Sequence, residues 1–160
     1  MLRSRALSPA ILLLTAAALL APGQMVMIDL AVEPDAAGKR PIAFDASGFR
    51  AAIAQQLAQS GVMVGAGQGM ARLVIRVTGY DPGNGVAFAQ TARMSARFQL
   101  VPANGAASEE RAVACEGKAK FGLGNTPGGR ARRACARCLD ELAAAMARQL
   151  VDADGSVMVR

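Results

Sequence analysis

Three cysteines and one set of like-charged side chains are the residues of this 160-residue chain with chemistry to offer. Cys115 stands alone, while Cys135 and Cys138 share a C-x-x-C spacing. There is no His anywhere, which removes the commonest general base and the commonest metal ligand. Three readings of the cysteines are open. In an exported chain a structural disulfide forms and leaves one Cys over. A C-x-x-C pair can be a redox dithiol, but such pairs normally follow a strand and open a helix beside an aromatic or a Pro. Here the pair sits in an Ala/Arg-rich helix start without that company. The third reading keeps all three thiols reduced and buried. A single C-x-x-C with neither a second pair nor a His falls short of a zinc site, so neither a metal nor a cofactor is expected.

The charged set is Arg72, Arg76, Arg93, Arg97, Lys118 and Lys120. Each alternates with apolar neighbours: Leu73, Ile75 and Val77 first, then Val86, Phe88, Ala92, Met94, Ala96, Phe98 and Leu100, then Val113, Cys115, Ala119 and Phe121. Such period-2 alternation marks antiparallel strands covered on one face and wet on the other. The six cations therefore project from one uncovered sheet face. Adjacent strands lie about 4.8 Å apart, close enough for the six to form one patch. Wet sheet faces also carry long cations simply for solubility and edge protection, and Thr91, Ser95 and Glu116 dilute this set. An anionic lipid head group, a polysaccharide or an acidic protein surface would suit it. No aromatic residue is interleaved, which argues against single-stranded nucleic acid.

The elements that position these residues follow in order. Val26 to Val32 alternates as a first strand ended by Pro34. Asp45 can cap a helix whose stripe is Phe49, Ile53 and Leu57, with Phe44 as staple and Gly61 just past the end. Gly65-Ala66-Gly67-Gln68-Gly69 leads from a helix into a strand. Phosphate-binding loops run the other way, so it reads as a turn. The turn residues Asp81 to Gly85 and Asn104-Gly105 divide the three long strands, and a Gly-rich connector over residues 121–129 leads to the last helix. That helix is expected from about Ala131 to Val151, with Cys135, Cys138, Leu139, Leu142, Met146 and Leu150 on one face. The tail Ser156 to Arg160 is an edge strand or a loose end. The order β-α-β-β-β-α predicts an α+β two-layer sandwich, a four-stranded mixed sheet with two helices on one face. Cys115 then lies about 20 Å back along its strand from the connector, and Cys138 is further into the returning helix than Cys135. The expected bridge is Cys115–Cys138, with Cys135 the alternative partner.

The N-terminus reads as an export signal. Arg3 and Arg5 precede an apolar run from Ala10 to Leu20, and Ala21-Pro22-Gly23 supplies small residues for cleavage after Gly23. That divides the chain into a signal peptide, 1–23, and one domain, 24–160. The apolar run is short of the roughly 20 residues that span a bilayer, and no membrane span is expected in the mature chain. Losing two Arg and no acid leaves 16 basic and 12 acidic side chains, a net of +4. That is modest, and no argument for nucleic acid.

From the capped helix through Ala71-Arg72-Leu73-Val74-Ile75-Arg76-Val77, the meander and the final helix, the chain resembles small α/β accessory proteins of bacterial envelopes. Among these are the outer-membrane lipopolysaccharide-assembly lipoproteins and uncharacterised secreted families with a turn like Asp81-Pro82-Gly83-Asn84. The resemblance spans about residues 25–151. It implies a periplasmic binding or assembly role without catalysis, with an envelope protein or an anionic envelope component as partner. No Cys lies near the cleavage point to carry a lipid. A thiol-disulfide redox protein using Cys135 and Cys138, or a binder of anionic lipid or polysaccharide through the basic face, is the alternative.

Overall fold

The computed structural model describes residues 19–37, 42–83, 89–120 and 126–151. Strand β1 (Met25–Val32) is followed by a one-turn helix α1 (Pro34–Ala37) and helix α2 (Ala46–Gln59). A two-residue strand β2 (Met63–Val64) precedes the long strands β3 (Ala71–Asp81), β4 (Ala89–Val101) and β5 (Arg111–Lys120). Helix α3 (Pro127–Val151) closes the order. The strands form one sheet in the order β2-β1-β3-β4-β5. β1 runs parallel to both β2 and β3, whereas β3, β4 and β5 form an antiparallel meander.

Among the described residues, the expected four-stranded sheet with two helices is thus corrected to five strands and three helices. β2 escaped the sequence because two residues are too few to show a period, and α1 is a single turn. Their placement explains the glycines that follow. β2 and β3 flank β1 on opposite sides, so residues 65–70 must carry the chain from one side of β1 to the other.

Asp45 caps α2, its carboxylate accepting from the Gly48 N–H at 2.8 Å. Phe44 packs edge-on against Phe49 with centroids 5.7 Å apart, and Gly61 adopts φ +79 just beyond the helix. Phe49, Ile53 and Leu57 are fully buried. α3 begins four residues earlier than its apolar stripe suggested. Thr126 accepts from the Gly129 N–H at 3.1 Å, and Pro127 opens the helix where a missing N–H costs nothing. Both long helices cover one face of the sheet, and the core between the layers holds Leu73, Ile75, Phe98, Val113, Leu142, Met146 and Leu150.

Leu20, at the end of the expected export segment, is also buried, and the N–H groups of Leu19 and Leu20 both reach the Leu150 carbonyl at 2.9 Å. Residues 1–18, Val86, Phe88, the end of the β3–β4 turn, connector residues 121–125 and the tail expectation lie outside the described residues.

Candidate functional site

The open face of the sheet carries all six expected cations, and each is exposed. Their spacing follows from the register. Arg76 on β3 stands directly opposite Arg97 on β4, about 5 Å away at Cα. Arg93 is four residues further along β4 and faces Asp81 on one side and Glu116 on the other. Lys118 and Lys120 lie beyond Glu116 on β5, and Arg72 pairs with Val101 at the opposite end. β4 has 13 residues, or about 40 Å of strand, and the six cations are spread over most of it. They share a face but do not make the single patch that strand spacing alone allowed.

Counter-charges divide them further. Glu116 takes both Arg93 Nε and Lys118 Nζ at 2.9 Å. Hydrogen bonds from Lys118 and then Arg93 hold its carboxyl below the ordinary glutamate range. Arg97 has a longer pair with Glu110 at 3.7 Å. Among the described residues Arg72, Arg76 and Lys120 have no carboxylate in reach. The least compensated pair at the centre of the face is therefore Arg76–Arg97, in which only Arg97 has a carboxylate, Glu110, in reach; such a like-charge juxtaposition costs stability in a sheet.

Beside that pair the surface dips. Gly79, Ser95 and Ala114 are neighbours across β3, β4 and β5, and their small side chains leave a shallow depression of about 550 Å³ bounded by Asp81, Arg93 and Glu116. A Cβ at Gly79 would lie 2.5 Å from Ser95 Oγ, and Thr78 Oγ1 lies 3.2 Å from the same oxygen. The depression holds one guanidinium, Arg93, already paired with Glu116, and a second carboxylate, Asp81, so the anion-attracting part of the face lies outside it, at Arg76 and Arg97.

The cysteines lie on the covered face. Cys115 on β5 is joined to Cys138 on α3, with the two Cα atoms 5.6 Å apart, and Cys135 is free and buried. Gly117 makes the approach possible. A Cβ there would collide with the Ala134 carbonyl and the Cys138 amide, so only glycine lets the helix descend onto this strand. Cys135 and Cys138 are thus not joined to each other. Burial pushes the Cys135 thiol up, only partly opposed by its contact with Tyr80 Oη at 3.4 Å. A thiol held protonated is a poor nucleophile at neutral pH.

Several residues that shape these sites gave little signal in the sequence. Gly117 falls silently into strand alternation. Gln90, the one break in the β4 pattern, is buried and donates to the Pro82 carbonyl at 2.9 Å. It holds the chain at the end of β3, at Pro82 and Gly83.

No protein-family model matches the sequence, and no curated protein does. Solved structures do. A minor lipoprotein from Acinetobacter baumannii superposes with a TM-score of 0.56 at 18% identity, over 82% of this chain and 92% of that one. The chain shares its fold with a bacterial lipoprotein. A Xanthomonas campestris protein gives 0.58 at 11% identity over 86% and 88% of the two chains. PelC from Paraburkholderia phytofirmans, solved as a dodecamer, gives 0.54 at 18% identity over 86% and 94%. At these identities the likeness is one of fold.

Proposed function

We propose that this chain is an exported accessory module of the bacterial envelope, without catalysis of its own. In this reading it engages an anionic envelope component through the open sheet face. The carrying observation is the Arg76–Arg97 pair, two exposed arginines directly opposite each other on adjacent strands, with Glu110 at 3.7 Å from Arg97 as the one carboxylate near them among the described residues. Like-charge neighbours are unfavourable in the free protein, and an anion bridging them would relieve the repulsion. Export is supported by Arg3, Arg5, the short apolar run and the small residues before Gln24. The fold shared with a bacterial lipoprotein supports the envelope setting.

The partner is taken as a phosphate- or carboxylate-bearing lipid or polysaccharide. Purified protein should co-sediment with lipopolysaccharide or phosphatidylglycerol vesicles in low salt. It should be released as salt rises, because exposed charges are screened within about 10 Å at 0.1 M. Equal binding to phosphatidylcholine vesicles, or binding indifferent to salt, would reject an electrostatic partner.

A further inference from the structure

The short edge of the sheet at β2 gathers Met25, Met27, Met63 and Met70, four of the eight methionines in the chain. The fully described remainder, Met94 and Met146, are core residues at 3% and 0% exposure. Met25 and Met63 instead stand 42% and 55% exposed. They are register partners on adjacent parallel strands. The Gly65 N–H donates to the Val26 carbonyl at 3.0 Å, so the extended chain continues past Val64. Met63 and Gly65 are then on the same face, which is also the face of Met25 and Met27.

Gly65 leaves a notch among these side chains. A Cβ placed there would lie 2.8 Å from Met25 Cε and 3.7 Å from Met70 Sδ. The thioether ends of two residues far apart in sequence thus converge on one point, and Met63 is the register partner of Met25 two residues before Gly65 on the same strand face. Met70 also separates two surface depressions, one lined by Met25 and the other by Met27. No carboxylate or thiol lines either depression. Gathered side chains with three rotatable bonds each can bring their sulfur atoms together around an ion. A neutral, all-thioether donor set is soft. It selects Cu(I) and its analogue Ag(I), and offers nothing to Ca²⁺, Mg²⁺ or other ions that want oxygen.

We propose that the Gly65 notch binds a soft monovalent metal ion, Cu(I) or Ag(I), through Sδ of Met25, Met63 and Met70, with Met27 alongside. The ion is bound without any change of oxidation state. The site lies at the far side of the sheet edge from Glu116 and does not depend on the anion-binding reading.

The test uses the whole protein labelled with ¹³C in its methionine methyl groups and titrated with Ag(I), which is redox-inert. The methyl signals of Met25, Met63 and Met70 should move together as one equivalent is added, while those of Met94 and Met146 stay. Met63→Leu and Met70→Leu keep volume and apolarity, so they separate ligation from simple burial. Losing an outer-shell partner already costs about 10–100-fold in metal affinity, and losing a thioether ligand should cost at least as much. Gly65→Ala, which fills the notch, should weaken binding with every sulfur retained. Silver captured by Cys135 alone, methionine methyls that do not move, or unchanged affinity in both Leu variants would overturn the proposal and leave an apolar edge.

Discussion

Cys115, Cys135 and Cys138 show how placement decides what a thiol can do. The Cys135-x-x-Cys138 spacing could have made a redox pair, yet Cys138 is turned to β5 and bonded to Cys115. Cys135 is left among apolar neighbours with its acidity suppressed by burial. Its raised value stabilises the folded state below the ordinary thiol range, and that contribution fades as pH rises through the raised value. Non-reducing peptide maps of protein from an oxidising compartment should show Cys115 linked to Cys138, and a single thiol alkylated only on unfolding. Reduction should then lower stability by roughly 3 kcal/mol. A Cys135–Cys138 link, or three thiols open to alkylation in the native protein, would contradict this and favour thiol chemistry.

Pairing of elements depends on residues that period and propensity do not expose. The alternation of β3, β4 and β5, the Asp45 cap and the stripe of α2 were all legible, because each is a repeated or local signal. The partner choice of Cys115 was legible too, from rise per residue along strand and helix. Four things were not. β2 is too short for any period, and the long crossing through residues 65–70 reads as a plain turn. Gly117 looks like any small residue in a strand, although its missing Cβ sets how closely α3 sits on β5. The spread of the six cations needed the register, since alternation fixes a face and says nothing of distance along it. Gly117→Ala forces the helix off the strand and should cost about 1–3 kcal/mol, the usual range for overpacking. Chemical denaturation measures it, and an unchanged midpoint would mean that α3 is not held at this contact.

At the scale of the molecule, one face of the sheet is committed to the core and the other is left open with its charge unbalanced. No helix among the described residues is long and apolar enough to cross a membrane. Export bears on the fold as well, because Leu20 is buried and residues 19 and 20 bond to the end of α3. Cleavage after Gly23 would remove those contacts from the mature protein. N-terminal sequencing of periplasmic material should begin at Gln24. Full-length protein recovered from the cytoplasm would sink the export reading.

Under the proposed function the Arg76–Arg97 pair is kept for an anion rather than for the fold. This is tested most directly by reversing both charges, Arg76→Glu with Arg97→Glu, and measuring melting and lipopolysaccharide co-sedimentation on one preparation. Exposed substitutions usually change stability by no more than about 0.5 kcal/mol, so the melting temperature should hardly move while co-sedimentation in low salt is lost. Retained binding in a folded double variant would contradict the account, and so would a large fall in melting temperature.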